Sequence, residues 1–246
     1  MNFQIYLKRR WRELLRTVEQ TGLTYVLETG VLDTSRSPIT TAMELEAPSI
    51  EALVLPQVGP EDFQWYVMLA DAMDVKRLVL PPPPTVGEIA TIYNTAAEYG
   101  VEINWHYGVS PMSRIKDVEA VAKAVRPTAA RIVYDPVKAR GMKEIYTAVV
   151  ALGGYIREIY LSNRRGRRGP RLPPFDPTGV INYVEILQAL HLLQWEGRYT
   201  IRQSPQFREL ELQVRIGGEV IEAAKNAGVS KKVQKRVATI LNELMS

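Results

Sequence analysis

The sequence contains no cysteine, which excludes disulfide bonds and thiolate chemistry. No apolar run reaches the roughly 18 residues that a membrane-spanning helix needs. The N-terminal stretch MNFQIYLKRRWRELL carries charges early and has no apolar segment followed by a small-residue cleavage site, so it lacks the pattern of a secretory signal. We therefore predict a cytoplasmic protein that does not bind a membrane.

Phosphate-binding sequence motifs are also absent. Neither G-x-G-x-x-G nor G-x-x-x-x-G-K-[ST] follows any apolar run, which leaves a dinucleotide-binding or P-loop function without support. Histidine is scarce, with only two in the chain, so side chains for a histidine-rich metal site are few. The sequence therefore favours a protein without a nucleotide cofactor.

Short β-branched apolar runs alternate with longer segments of helical period along the whole chain. This alternation is typical of repeated βα units around a parallel sheet. Eight strands in such an order, within 246 residues, predict an α/β fold of the (β/α)8 TIM-barrel class. The predicted strands are residues 3–7, 24–29, 52–56, 77–81, 102–107, 131–135, 157–162 and 198–203.

Helices are predicted in most of the intervals between strands. Thr85 and Glu88 have the spacing of a capping box. Residues 30–49 lack a clear helical stripe and predict an irregular or shortened unit. The predicted helices are residues 10–20, 61–73, 86–99, 114–125, 139–152, 183–195 and 206–227.

One more helix is predicted after Gly228, with an apolar side and a lysine-rich side. We expect a barrel over residues 1–228 and an amphipathic helix in residues 229–246 that packs on it, rather than one that binds a partner. Its predicted apolar stripe comprises Val233, Val237, Ile240, Leu241 and Leu244.

The chain is basic, with a net charge of +4 and a pI of about 9.2, which favours anionic partners. The positive charge is concentrated in the loop of residues 164–171 and in a C-terminal group. That group is Lys231, Lys232, Lys235 and Arg236.

Active sites of TIM barrels lie where the strands end, and the loops after the seventh and eighth strands frequently bind phosphate. The basic loop follows the seventh predicted strand, so Arg164 and Arg165, with Arg202 at the end of the last strand, are candidate ligands for an anion. Nucleic acid could use the same arginines for its phosphates, and a basic loop can also serve solubility alone.

His106 ends the fifth predicted strand, where it could be a general base, a metal ligand or a structural residue. Asp135 and Glu28 are carboxylates at strand ends, and each is expected to face a cation, for which Arg202 and the loop arginines are candidates. His191 lies inside the run ILQALHLLQW and is expected to pack.

Three segments carry a family resemblance: WRELLRTVEQTGLTYVLET, RIVYDP and, most specifically, REIYLSNRRG followed by FDPTGVINYVEILQALHLLQWEGRYTIRQ. They resemble the xylose isomerase-like barrels, a family of sugar phosphate isomerases and epimerases to which the endonuclease IV enzymes are related. The resemblance covers nearly all of residues 1–228. It implies a divalent ion held by two glutamates, an aspartate and a histidine, with the glutamates transferring the proton.

The chain departs from that ligand set at all positions but one. Asp135 matches the family's aspartate, whereas His106, Tyr160, Asn163 and Arg202 stand where the resemblance places a glutamate, the histidine, an acid and the last glutamate. A guanidinium repels the ion that a carboxylate attracts, and Asp135 with His106 alone makes a poor site. We therefore predict no metal and no other cofactor.

The resulting hypothesis is a diverged sugar phosphate isomerase or epimerase-like protein that binds a small phosphorylated or otherwise anionic ligand. Tyr160, Asn163, Arg164, Arg165 and Arg202 would bind the ligand. In any remaining proton transfer, His106 would be the base, with Asp135 and Glu28 as the other catalytic candidates. The alternative is a non-catalytic nucleic-acid-binding protein that uses residues 164–171; a metal-dependent nuclease is disfavoured by the scarcity of ligands.

Overall fold

The structure, a computed structural model, describes residues 3–7, 24–30, 32–45, 50–166, 169–202 and 207–245. The chain forms two compact units: residues 4–133 make the first, and residues 134–246 with residues 1–3 make the second. The predicted helix of residues 10–20 lies outside the described residues.

The first unit is built on parallel strands that pair in chain order. Their apolar, β-branched sequences suit a parallel sheet that is covered on both faces, and Tyr25, Val26 and Leu27 are fully buried. The strands are β1 (Phe3–Leu7), β2 (Thr24–Glu28), β3 (Ile50–Val54), β4 (Arg77–Leu80), β5 (Glu102–His106) and β6 (Ile132–Tyr134), whose last residue begins the second unit.

Helices connect these strands at the predicted places. The predicted capping box is present, because the Thr85 hydroxyl accepts from the Glu88 backbone N–H at 3.2 Å and the Glu88 carboxylate accepts from the Thr85 N–H at 3.0 Å. The shortened unit contains the eight-residue helix α1. The helices are α1 (Pro38–Leu45), α2 (Pro60–Ala72), α3 (Val86–Glu98) and α4 (Ile115–Ala124), followed by a 3-10 turn at Pro127–Ala130.

The second unit pairs two parallel strands and inserts a small antiparallel ribbon into the loop between them. None of the helices in the described ranges is long and apolar enough to cross a membrane. The strands are β7 (Ile156–Leu161), β8 (Asn163–Arg164), β9 (Arg171–Leu172) and β10 (Arg198–Arg202); the helices are α5 (Met142–Leu152), α6 (Tyr183–Leu192), α7 (Phe207–Asn226) and α8 (Lys231–Met245).

Two local predictions need correction in this unit. Helix α5 begins at Met142 rather than at residue 139, because Pro136–Lys138 form a 3-10 turn that the Asp135 side chain caps. The expectation that His191 packs is wrong: it is exposed in the last turn of α6, one residue after the buried Leu190, and neighbouring residues point about 100° apart on a helix.

Helix α8 packs against α5 and α6, as expected for an amphipathic helix. Val233, Val237 and Ile240 are buried with at most 8% exposure. Leu241 and Leu244, which were predicted to belong to the same stripe, are 39% and 47% exposed, so that part of the prediction is wrong. Leu241 is one residue past the buried stripe, and Leu244 lies in the last turn of the helix.

Candidate anion-binding site

Polar side chains of the second unit come together where three strands end. Asp135 follows β6, Ser162 follows β7, and Arg202 is the last residue of β10. In the parallel pairing of β7 with β10, Leu161 lies opposite Ile201, which sets Ser162 level with Arg202. The turn Pro136–Lys138 after Asp135 also contacts β7.

Asp135 is the centre of this arrangement. Its side chain is only 3% exposed, and its Oδ2 accepts hydrogen bonds from Arg171 Nη2 at 2.9 Å and from Arg202 Nη1 at 3.2 Å. Its Oδ1 accepts from the backbone N–H of Val137 at 3.3 Å. A buried carboxylate requires such partners, and the predicted pairing of Asp135 with arginine is confirmed.

Arg171 is a site residue that the sequence analysis missed. The β8–β9 ribbon folds the basic loop back on itself and pairs Arg164 with Arg171. Arg171 then reaches Asp135 with one nitrogen and donates from Nη1 to the buried Ser162 hydroxyl at 2.7 Å. Several arginines in this loop look alike in sequence, and only the fold of the ribbon distinguishes this one.

Arg202 is positioned by an aromatic ring as well as by Asp135. Its guanidinium carbon lies 5.0 Å from the centre of the Tyr160 ring, a cation–π distance. Tyr160 is fully buried. Tyr160, predicted as a ligand-binding residue, therefore acts as the platform under Arg202.

Lys138 adds a third cation to this cluster. Desolvation lowers the pKa of Lys138, attraction to Asp135 opposes that shift, and repulsion from Arg202 and Arg171 adds to it. Lys138 is exposed to solvent, but its ammonium group is partly desolvated by the protein and repelled by the two guanidinium groups. The pKa is therefore lowered mainly by desolvation, to which the two guanidinium groups add.

The cluster as a whole contains three cations and one carboxylate, so it carries a positive surplus. Arg171 is 43% exposed and Arg202 is 23% exposed, so both guanidinium groups remain accessible. With the residues that the structure describes, Arg171 uses two of its five donors. Guanidinium groups of this kind can bind a phosphate or carboxylate with parallel hydrogen bonds.

Asn163, another predicted ligand-binding residue, is used inside the loop. It is 1% exposed, and its amide nitrogen donates to the backbone carbonyls of Pro174 and Ile181 at 3.1 and 3.0 Å. Its carbonyl oxygen accepts from the backbone N–H groups of Ile181 and Arg164 at 3.0 and 2.9 Å. Asn163 thus holds the loop in place, and its role in binding a ligand stays a prediction.

Arg164 and Arg165 differ in their surroundings. Arg164 donates to the backbone carbonyl of Ala139 and lines a small cavity of about 150 Å³ beside the start of α5. Arg165 is exposed and donates to the Thr178 hydroxyl at 3.4 Å. Arg164 therefore ties the loop to the segment after Asp135, and Arg165 lies on its outer side.

Tyr183, at the start of α6, fixes the end of β7. Its hydroxyl donates to the Ser162 carbonyl at 2.7 Å and accepts from the Ser162 N–H at 3.1 Å. Burial raises the pKa of Tyr183, whose ring also contacts Phe175 edge-on at 5.7 Å. This clamp keeps Ser162, and through it Arg171, in position.

Glu28 and His106, the other predicted catalytic residues, belong to the first unit. Each is the last residue of its strand and each is partly exposed. The neighbouring Trp105 is fully buried and donates from its ring nitrogen to the Ala129 carbonyl at 2.8 Å, so it belongs to the core. The roles of Glu28 and His106 stay predictions.

A divalent ion does not fit the environment of Asp135. Both carboxylate oxygens already accept hydrogen bonds, and two of the donors are guanidinium groups that repel a cation. Hard divalent ions need several oxygen or imidazole ligands. Over the part of the chain that the structure describes, no group of three histidine, aspartate or glutamate side chains is arranged to hold a metal.

Solved structures share this architecture at low sequence identity. A xylose isomerase domain protein from Planctomyces limnophilus aligns with a TM-score of 0.68 and 10% identity, over 92% of this chain and 98% of its own. A sugar phosphate isomerase/epimerase from Parabacteroides distasonis aligns with a TM-score of 0.56 and 12% identity, over 94% and 96%. An uncharacterised protein from the same bacterium aligns with a TM-score of 0.61 and 15% identity, over 89% of this chain and 97% of its own.

These likenesses establish the fold and leave the activity open. The chain has a TIM-barrel-like α/β fold similar to that of xylose isomerase-like proteins, which confirms the predicted fold class and the resemblance seen in the sequence. No family model matches the chain, and no curated protein matches it.

Proposed function

We propose that this chain binds a small phosphorylated or otherwise anionic ligand through Arg171, Arg202 and Lys138, as a diverged relative of the sugar phosphate isomerases and epimerases. The observation that carries the proposal is the double arginine contact to the buried Asp135 at the carboxyl ends of the strands. This is the end of the sheet where proteins of this fold bind their ligands.

Asp135 supports binding by orienting the two arginines. One carboxylate oxygen receives both guanidinium groups, so each arginine is held in place before a ligand arrives. The stacking of Arg202 on Tyr160 and the bond from Arg171 to Ser162 add to this preorganisation. Preorganised donors lose less conformational entropy on binding, which favours affinity.

Any proton transfer would differ from the metal-assisted chemistry implied by the family resemblance. Asp135 is a poor candidate base because both of its carboxylate oxygens already accept hydrogen bonds, from the Val137 backbone and from Arg171 and Arg202. In this proposal the arginines stabilise negative charge that develops on the substrate.

The contacts of the loop favour a small ligand over a polynucleotide. Arg164 and Arg171 turn back onto the protein, where they contact Ala139, Asp135 and Ser162. Nonspecific binding to nucleic acid uses several arginines or lysines that project outward to successive phosphates. A small anion needs only the two guanidinium groups and Lys138.

Isothermal titration with sulfate, inorganic phosphate and a panel of phosphorylated and unphosphorylated sugars tests the proposal. We expect the phosphorylated sugars to bind more tightly than the unphosphorylated ones. Arg202→Ala and Arg171→Ala should each weaken that binding at least about tenfold, because each removes a charged hydrogen bond. Arg215→Ala removes an exposed arginine on α7 and is the matched control.

Unchanged affinity for the phosphorylated sugars in both Arg202→Ala and Arg171→Ala would refute the proposal. Affinity for oligonucleotides that rises with their length and falls steeply with salt would favour the nucleic-acid alternative. A site that holds a small anion with two arginines should bind oligonucleotides with an affinity that does not depend on their length.

A further inference from the structure

A second and larger cavity lies between α5 and α8, and it shares no lining residue with the cluster around Asp135. Its volume is about 450 Å³, within the range of about 300–1,000 Å³ that is usual for small-molecule sites. Helical spacing explains its walls: Lys143 and Tyr146 are three residues apart on α5, and Lys232, Arg236 and Ile240 are four apart on α8.

The cavity combines an apolar floor with a basic rim. Tyr146 and Ile240 are 2% and 8% exposed and form the floor. Four cations line the cavity, namely Lys143, Lys232, Lys235 and Arg236, against one acid, Glu243. Along α8 the cations occupy the first half and Glu243 the second, so one end of this wall is positive.

Two of these cations form the framework of the cavity. Lys232 and Arg236 both bond to Glu185 on α6, and the Arg236 guanidinium lies 5.2 Å from the centre of the Tyr146 ring. The Tyr146 hydroxyl also donates to Glu185 at 2.9 Å. This network joins α5, α6 and α8, so the cavity between the helices is preformed.

The other two cations are available to a ligand. With the described residues, Lys143 and Lys235 make no side-chain hydrogen bond or ion pair, and both are exposed. Lys143 also lies in the first turn of α5, where the helix dipole adds positive potential. The cavity therefore offers two unpaired ammonium groups beside an apolar floor.

We propose that this cavity binds a small amphipathic anion, with its carboxylate or phosphate head on Lys143 and Lys235 and its apolar body on Tyr146 and Ile240. This inference goes beyond the proposed function, because it concerns a different site with different residues. The volume of the cavity and its apolar floor favour a single small molecule over a nucleic-acid strand, which would contact cations along an extended surface.

Isothermal titration of the full chain with decanoate tests the inference. We expect one decanoate per chain, with weaker binding of decanol, which lacks the charge, and of inorganic phosphate, which lacks the apolar body. The double variant Lys143→Glu with Lys235→Glu should weaken decanoate binding at least about tenfold. Lys231→Glu, on α8 but not lining the cavity, should leave it unchanged.

A second variant tests the apolar part and covers the case in which the double variant does not fold. Thr239→Trp places a bulky ring in the cavity from an exposed helix position and should abolish decanoate binding while thermal unfolding stays cooperative. Arg202→Ala should leave decanoate binding intact, which separates this site from the one around Asp135.

Three results would overturn the inference. One is the absence of decanoate binding, and another is an equal loss of affinity in Lys231→Glu, which would indicate only general attraction to a basic surface. The third is binding of oligonucleotides that rises with their length and is lost in the double variant, because the lysines would then serve a polynucleotide.

Discussion

All the polar side-chain atoms of Asn163 are used inside the loop after β7, and Gly179 lies directly against them. A Cβ atom added at Gly179 would come within 2.2 Å of the Asn163 amide carbon, and the four hydrogen bonds of that amide prevent it from moving aside. Gly179→Ala should therefore lower the free energy of unfolding by about 1–3 kcal/mol. Urea denaturation measures the change.

Gly218→Ala is the control for this substitution. Gly218 lies inside α7 with no atom within 4 Å of the added Cβ, so the change should raise the helix propensity and stabilise by about 0.5–1 kcal/mol. If both variants behave alike, the loop does not depend on the contact between Gly179 and Asn163.

At the same scale, the lowered pKa of Lys138 predicts a pH dependence of anion binding. Protonated Lys138 attracts the ligand, so affinity is greatest below its pKa and falls as the pH rises through it. Because desolvation and the two arginines lower that pKa, the fall should occur below the ordinary lysine value of 10.5. Sulfate is the appropriate ligand because its charge is constant over this range.

Titration calorimetry with sulfate between neutral and alkaline pH measures that dependence. Lys138→Met should bind sulfate more weakly at neutral pH and show a flat profile, since arginine keeps its charge throughout. An identical profile in the wild type and Lys138→Met would show that Lys138 takes no part in binding.

The sequence could predict some of the site's residues but not their arrangement. Asp135 and Arg202 follow from their places at strand ends, and arginine as the partner of a buried carboxylate follows from electrostatics. Arg171 could not be selected, because its contact with Asp135 spans 36 residues and depends on how the β8–β9 ribbon folds. The contacts of Asn163 inside the loop could not be predicted for the same reason, since its partners are as many as 18 residues away.

At the scale of the helices, Glu185 on α6 bonds to Lys232 and Arg236 of α8, and its pKa predicts how this contact responds to acid. Burial would raise the pKa of Glu185, but hydrogen bonds from Lys232 and Tyr146 and the charges of Lys232 and Arg236 outweigh it and lower the pKa. The contribution to stability is therefore complete above the ordinary value of 4.5 and is lost as the pH falls through the lowered pKa.

Glu185→Gln should remove this part of the acid sensitivity. Below about pH 4.5 the melting temperature of the wild type should fall more steeply than that of Glu185→Gln, which should be less stable than the wild type at neutral pH. Glu98→Gln, at the exposed end of α3, should follow the wild-type slope. Parallel slopes for all three proteins would contradict the role assigned to Glu185.

Element boundaries show which local patterns the sequence resolves. A strong signal such as the Thr85–Glu88 capping box starts α3 at the predicted residue. Weaker signals mislead by two or three residues, as at β3, which begins at Ile50, and at α5, whose first predicted turn is replaced by the 3-10 turn after Asp135. Leu241 and Leu244 show that an apolar stripe can extend beyond the surface on which its helix packs.

For the whole molecule, the fold is shared with proteins whose sequence identity to this chain is too low to imply the same chemistry. The chain aligns over 92% of its length with a xylose isomerase domain protein while sharing 10% of the residues. Alternating βα units and buried strands define such a fold with many different sequences. The site depends on a few side chains, and here they surround Asp135 with positive charge. Fold and function therefore have to be argued separately.

That positive charge predicts that anions stabilise the molecule and that divalent cations do not. A ligand that binds only the folded state raises its stability by RT ln(1 + [L]/Kd), or about 2.7 kcal/mol at a hundredfold excess over Kd. Sulfate or phosphate should therefore raise the melting temperature, and the increase should shrink in Arg202→Ala. Manganese, magnesium, cobalt and zinc should leave the melting temperature unchanged, because the two arginines neutralise the Asp135 carboxylate and repel a metal cation.

Thermal scans of chelator-treated protein with each ion, and metal analysis of protein purified without chelators, measure both responses. One tightly bound ion per chain that is lost in Asp135→Asn would mean that Asp135 binds a metal in place of the two arginines. The chemistry would then be metal-dependent. Stabilisation by anions alone would instead fit a chain in which arginine has taken the place of the ion, because a guanidinium provides positive charge for a phosphate without requiring a set of carboxylate ligands.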